Sequence, residues 1–126
     1  MMVLVDSSVW IDHLREGDAI LKELLTQNNV LIHPFVRGEL ALGNLRQRTE
    51  VLGLLDNLPH ANIADYEEII FFIEKHALFG LGIGLIDVHL LASTLLQNNT
   101  LLWTRDKRLL AVAMRLNIAA TFDNEH

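Results

Sequence analysis

The stretch Met1-Met2-Val3-Leu4-Val5-Asp6-Ser7-Ser8-Val9-Trp10 decides how the chain is read. Val3-Leu4-Val5 is a short apolar run rich in β-branched side chains, which suits a strand buried on both faces. It stops at Asp6, and the serines that follow are residues that favour a helix N-cap. A buried strand that carries a carboxylate to its C-terminal end and turns into a helix is how an open α/β sheet builds a site. The plainer reading is that Asp6 or Ser7 only caps the next helix. The rest of the chain has to decide between them.

Working outward, strands and helices alternate. A short helix runs from about Val9 to Gly17, and Asp18 caps a second with Ile20, Leu21, Leu24 and Leu25 at helical spacing. Val30-Leu31-Ile32 is the second strand, and Pro34 suits the first turn of the helix that bears Val36, Glu39 and Leu40. Helix is expected to continue from Leu45 to Leu55, and Ala61–Ala64 reads as a weak strand. Asp65 and Glu68 have capping-box spacing for a helix reaching about Leu78. The glycine-alternating segment Phe79–Gly84 lacks both the GxGxxG spacing and a Gly-Lys-Ser/Thr ending, so it reads as a lead-in to the helix over Asp87–Leu96 and not as a phosphate cradle. Leu101–Thr104 is a strand, Lys107–Leu116 a helix and Ile118–Thr121 a last short strand. This alternation predicts a parallel sheet covered on both faces.

Composition narrows the class. The chain has 126 residues, 51% of them hydrophobic, and a net charge of -6; its mean hydropathy is +0.28. That size predicts one domain with a substantial core. Charged residues interrupt every apolar run before it reaches membrane-spanning length, and no basic region precedes the first one, so neither a membrane protein nor a signal peptide is expected. With no cysteine, disulfides and thiolate metal sites are excluded. A cytoplasmic protein is the default expectation. The negative charge argues against a broadly basic nucleic-acid surface. It is compatible with a nuclease, because carboxylates gathered around divalent cations are neutralised in the working site.

Asp106 repeats what Asp6 does: each stands just past a strand and just before a helix. In a parallel sheet such ends lie along one edge, and neighbouring strands bring them within about 4.8 Å. Glu39 and Asp87 each interrupt an otherwise apolar helical run, where an acid needs a reason. Two carboxylates about 4 Å apart repel by roughly 4 kcal/mol at an effective dielectric near 20. Without a cation some of them must take up protons. An all-oxygen site suits Mg²⁺ or Mn²⁺, and the natural chemistry of carboxylate-held hard ions is phosphodiester or phosphoryl transfer.

Asp6 in Val-Asp-Ser-Ser, Glu39 in the helix after the second strand, Asp87 opening a helix and Asp106 in Thr-Arg-Asp together resemble the PIN domain, in particular the stand-alone VapC-type toxin ribonucleases of toxin–antitoxin modules. The resemblance spans essentially the whole chain, as a single PIN-like domain over 1–126. It implies a three-layer α/β/α sandwich whose parallel sheet of four to five strands runs in the order 3-2-1-4-5. It further implies that Asp6, Glu39, Asp87 and Asp106 form a metal cluster, supported by Thr104. Mg²⁺- or Mn²⁺-dependent endonucleolytic cleavage of RNA would follow, with homodimerisation and inhibition by a VapB-like antitoxin. His89 stands where small or apolar residues are frequent in that family. Two residues from Asp87, it lies about 200° around the helix and does not share its face.

The remaining candidates carry competing readings. Ser7 and Ser8 are expected to cap the first helix and steady the Asp6 carboxylate. Arg37, Arg105, Lys107 and Arg108 are close in sequence to the acids and are candidate RNA-phosphate contacts, against the alternative of a solvated basic face. Trp10 and Leu14 read as core, or as part of a groove for an antitoxin peptide. Two other functions remain open. A haloacid-dehalogenase-like phosphotransferase would use Asp6 as nucleophile, but it needs a second aspartate where this chain has Ser8. A non-catalytic α/β binding module would share the composition.

Overall fold

The structure, a computed structural model, describes residues 1–122. β1 (Met2–Val5) is its centre. Val3, Leu4 and Val5 are all fully buried; successive strand residues point to opposite faces, so both faces of the sheet are covered. After β1 come α1 (Ser7–Glu16), α2 (Ala19–Thr26), β2 (Val30–Leu31), α3 (Pro34–Leu42) and α4 (Arg48–Asp56). The second half carries α5 (Tyr66–His76), α6 (Leu85–Leu96), β3 (Thr100–Trp103) and α7 (Lys107–Arg115). The sheet is parallel in the order β2-β1-β3, with Val3 opposite Val30 and Leu101, and Val5 opposite Trp103.

The α/β fold class holds, with fewer full strands than expected. Among the described residues the two outer strands are each reduced to one parallel bridge, Ile32 to His60 and Leu102 to Ala119. Each bridge makes two backbone hydrogen bonds: the Ile32 and Ala61 amides donate to Pro59 and Ile32, and the Leu102 and Ala120 amides donate to Ile118 and Leu102. These bridges flank the sheet on the sides where the third and fifth strands of a 3-2-1-4-5 order belong. Both segments are short, and Ala-Asn-Ile-Ala and Ile-Ala-Ala offer little side-chain packing to extend a ladder.

Two helix expectations change. The segment after Gly43 does not run on from Leu45; Gln47 takes a left-handed conformation and α4 begins at Arg48. α6 starts at Leu85, so Asp87 is its third residue. Other signals match: Asp18 accepts from the Leu21 amide, Pro34 opens α3, and Asp65 and Glu68 form a reciprocal capping box. Trp10 is buried with the core, and Leu14 packs half-buried against it. Among the described residues no helix is long and apolar enough to cross a membrane.

Candidate active site

Asp6 sits at the N-cap position of α1, yet its side chain makes no capping bond. Its Oδ2 instead accepts hydrogen bonds from Ser8 Oγ at 2.7 Å and Thr104 Oγ1 at 2.8 Å. The helix start is satisfied by the backbone, since the Val9 and Trp10 amides donate to the Asp6 carbonyl. The capping role expected of Ser7 is likewise not taken up: Ser7 Oγ donates across to Glu39 Oε1 at 3.1 Å. Asp6 is a 6%-exposed carboxylate held by two hydroxyls beside the positive end of a helix.

β1 and β3 are neighbours, so their C-terminal ends meet. The Asp6 amide donates to the Trp103 carbonyl, and Thr104 emerges beside Asp6. Thr104 Oγ1 also accepts from the Asp106 amide at 3.1 Å, and Ser8 Oγ accepts from the Arg105 amide at 3.0 Å. These bonds fix the loop from which Asp106 projects. Asp106 Oδ1 caps α7, accepting from the Arg108 and Leu109 amides. The Asp87 carboxylate reaches back to the Gly84 amide at 3.1 Å, which orients it at the head of α6.

The four acids form a graded cluster, with Asp6 buried at its floor, Asp87 half-buried, and Glu39 and Asp106 exposed. Loss of water raises the Glu39 pKa; the Ser7 hydroxyl opposes this, and repulsion from Asp6 and Asp87 adds to it. Asp87 is raised in the same way, first by burial and then by repulsion from Asp6 and Asp106, with the Gly84 amide opposing. Glu39 is thus coupled to Asp6 and Asp87, and Asp87 to Asp6 and Asp106. Among the described residues no three acidic or imidazole groups are drawn in closely enough to hold an ion as placed. The cluster is coupled through space. An all-oxygen set under mutual repulsion fits a hard divalent cation, which would relieve that repulsion.

The basic candidates separate. Arg37 pairs with Asp56 at 3.0 Å on the outer side of α3 and α4. Arg105 pairs with Asp12 at 2.7 Å and Asp18 at 2.6 Å, so it ties the β3–α7 loop to α1 and α2. Asp12 thus serves as an ion-pair partner of Arg105. Lys107 and Arg108 remain exposed near Asp106. Arg108 lies over Gly82, whose φ is +76° and where a Cβ would come within 2.7 Å of its Nη1. The positive φ accounts for a glycine in this loop without any phosphate.

A cleft of about 810 Å³ opens beside Glu39, between α1 and the segment joining α3 to α4. Its walls include Arg15, Arg46 and His13, residues the sequence reading did not select. Arg15 and Arg46 are exposed, and among the described residues neither has a carboxylate partner. Neither is near an acid of the cluster in sequence, so only the packing of α1 against α3 could reveal them. His13 Nδ1 accepts from the Asp18 amide. His89 is buried, its ring 4.8 Å from Phe35 and 6.3 Å from His33.

The comparisons with known proteins agree with this geometry. The PIN domain family model matches residues 3–115. The chain is 45% identical over 118 residues to Ribonuclease VapC32 of Mycobacterium tuberculosis, from strain CDC 1551 / Oshkosh and from strain ATCC 25618 / H37Rv. Each match covers 94% of this chain and 95% of the relative. The crystal structure of PAE2754 from Pyrobaculum aerophilum superposes with a TM-score of 0.57 at 15% identity, covering 93% of this chain and 90% of that one, which speaks to the fold alone. A sheet edge carrying coupled acids, a family model over most of the chain and near full-length identity of this degree lead to one assignment: the chain belongs to the PIN-domain family, among its VapC-type ribonucleases.

Proposed function

We propose that this chain is the toxin of a toxin–antitoxin module, an endoribonuclease that hydrolyses RNA phosphodiester bonds with Mg²⁺ or Mn²⁺. It would work as one domain over residues 1–126, in the cytoplasm, as a homodimer restrained by a VapB-like antitoxin. The observation that carries the reading is the electrostatic convergence of four acids, reported by Glu39 and Asp87. The name of the relative Ribonuclease VapC32 supports the choice of RNA.

Asp6, Glu39, Asp87 and Asp106 would hold the ion. When bound, such an ion supplies Lewis-acid chemistry for phosphodiester hydrolysis, acidifying water and neutralising charge on the phosphate. The chain's own contribution is orientation. Ser8 and Thr104 fix the Asp6 carboxylate from one side, Ser7 fixes Glu39, and the Gly84 amide fixes Asp87. Outer partners of this kind typically govern metal affinity or activity by about 10- to 100-fold. Lys107 and Arg108, with Arg15 and Arg46 in the cleft, would meet RNA phosphates.

The test is Asp6→Asn. It is expected to keep its circular dichroism spectrum, to lose metal-dependent RNA cleavage by more than about 100-fold, and to relieve growth inhibition on expression. Undiminished cleavage would overturn the proposal. A binding module without catalysis is favoured instead if Mn²⁺ titration shows no binding and Asp87→Ala has no effect on RNA. Mapping RNA ends after induction identifies the substrate, and a small adjacent reading frame identifies the antitoxin.

A further inference from the structure

Arg105 separates the two residues of its loop that serve the acids: Thr104, whose hydroxyl donates to Asp6, and Asp106, whose charge reaches Asp87. Its own amide donates to Ser8 Oγ at 3.0 Å, and Ser8 in turn donates to Asp6 Oδ2. The Asp106 amide turns back to Thr104 Oγ1 at 3.1 Å. Three consecutive residues thus hang on hydroxyl contacts, and a hydroxyl rotates to suit its neighbours. Something firmer has to set the position of the turn.

The Arg105 side chain supplies it. Nη1 donates to Asp12 Oδ2 at 2.7 Å, and Nη2 donates to Asp18 Oδ2 at 2.6 Å. Asp12 lies in the middle of α1, while Asp18 caps α2 with its other oxygen on the Leu21 amide. The guanidinium also sits 5.4 Å over the ring of Trp103, which is fully buried in the sheet. One planar fork therefore reaches α1, α2 and β3 at once. Ion pairs with this much access to water add little stability. A guanidinium on two carboxylates fixes geometry instead, which the point charge of a lysine does not. Nor is the side chain set out for a phosphate. Both terminal nitrogens are engaged by carboxylates, the side chain is only 22% exposed, and two acids against one cation leave the group net negative.

We propose that Arg105 is a positioning residue of the acid site: its clamp on Asp12 and Asp18 holds the Thr104–Asp106 turn where Thr104 meets Asp6 and Asp106 joins the cluster. This takes Arg105 off the RNA path and makes it part of the scaffold of the site. Asp12 and Asp18 enter that scaffold too, although each is bonded to Arg105 and not to any of the four acids. The catalytic consequence rests on the ribonuclease reading; the hold on the turn does not.

Three variants separate this role from RNA contact and from plain stability. In Mn²⁺ with total cellular RNA, Arg105→Ala should lower the maximal rate by about 10- to 100-fold and leave the half-saturating RNA concentration within about twofold. Arg105→Lys, able to meet one carboxylate at a time, should recover part of that rate. Asp12→Ala/Asp18→Asn keeps Arg105 and should reproduce the loss, because the single carbonyl oxygen of asparagine keeps the α2 cap and gives up the guanidinium. Bulk tRNA binding by Arg105→Ala in EDTA should keep the wild-type dependence on log salt, whereas a lost phosphate contact flattens it by about 0.7. In metal-free protein, hydrogen exchange at the Asp106 amide of Arg105→Ala should speed about tenfold more than at the Val3 amide of β1; a general loss of stability speeds both alike. A maximal rate within about twofold of wild type, a flattened salt dependence or equal acceleration of the two amides would overturn the proposal. If the wild type cleaves no RNA, the ribonuclease reading falls, and the exchange experiment still decides whether Arg105 holds the turn.

Discussion

Asp87 joins the two ends of the acid cluster, since it feels both Asp6 at the floor and Asp106 at the rim. Its pKa and that of Glu39 are raised, by burial first and repulsion second. An acid that holds its proton more tightly in the folded chain supports folding while protonated and opposes it once ionised. Metal-free protein therefore loses stability from these two groups as pH rises through the interval just above the ordinary carboxylate range. His33 acts in the opposite sense: fully buried and lowered to about 4, it costs stability as pH falls below 6.5 towards that value. Comparing Asp87→Asn with wild type at each pH cancels the histidine. In EDTA the variant is expected to melt a few degrees higher at pH 7, with the advantage fading towards acid pH. Added Mn²⁺ should narrow or reverse the difference, because only the wild type keeps the proposed ligand; scanning fluorimetry across pH checks this. At this scale the acids could be found in the sequence because each sits where an apolar run ends or is broken. The hydroxyls divided differently from expectation. Whether Ser7 caps α1 or reaches Glu39 depends on α3 packing beside α1, a contact 32 residues away in sequence.

Elements give Asp106 two duties that a pair of substitutions can separate. One carboxylate oxygen caps α7, and the charge belongs to the cluster. Asn is as good an N-cap as Asp, whereas Ala costs about 1 kcal/mol. Asp106→Asn should thus leave the unfolding free energy from urea titration nearly unchanged and Asp106→Ala should lower it by about 1 kcal/mol, while both lose RNA cleavage alike. Equal destabilisation by the two would show that the cap is not what matters at this position. Elements also show how far pattern reading reaches. β1, β2, β3 and the helices with side-chain caps at Asp18, Asp65 and Asp106 could be read directly, because apolar runs and caps are local signals. The outer strands could not be fully read. A single bridge at His60 or Ala119 depends on a neighbouring strand and leaves almost no period in its own residues. The start of α4 was missed for a related reason: the leucine spacing continues through Leu45, and the left-handed turn at Gln47 has no glycine to announce it.

Across the whole molecule, the proposed function asks a chain of net charge -6 to meet a polyanion. The cations nearest the acids in sequence turn out to be partly committed, Arg37 to Asp56 and Arg105 to Asp12 and Asp18. Ion pairs of this sort cannot be read from spacing, since the partners lie 19, 93 and 87 residues away. The cleft arginines remain. In an Asp6→Asn background, Arg15→Ala/Arg46→Ala is expected to weaken binding of bulk tRNA and to flatten its dependence on log salt by about 1.4, at about 0.7 for each single-strand phosphate no longer neutralised. Anisotropy titrations at several salt concentrations measure both, and an unchanged slope would remove the arginines from the RNA path. Placing Asp6 on the central strand has a further consequence. The Val3 amide donates to Asn29 and the Asp6 amide to Trp103, so these protons are locked between parallel neighbours in the deepest part of the core. Such amides exchange with solvent only when the whole domain opens, whereas helix ends at the periphery open locally. In deuterium the Asp6 amide should therefore be among the last to exchange, at the global unfolding free energy, long after the α4 amides. Peripheral loosening, whether from heat, a bound partner or drift in the outer helices, would then alter what reaches the acid cluster long before it disturbs the carboxylate at its floor.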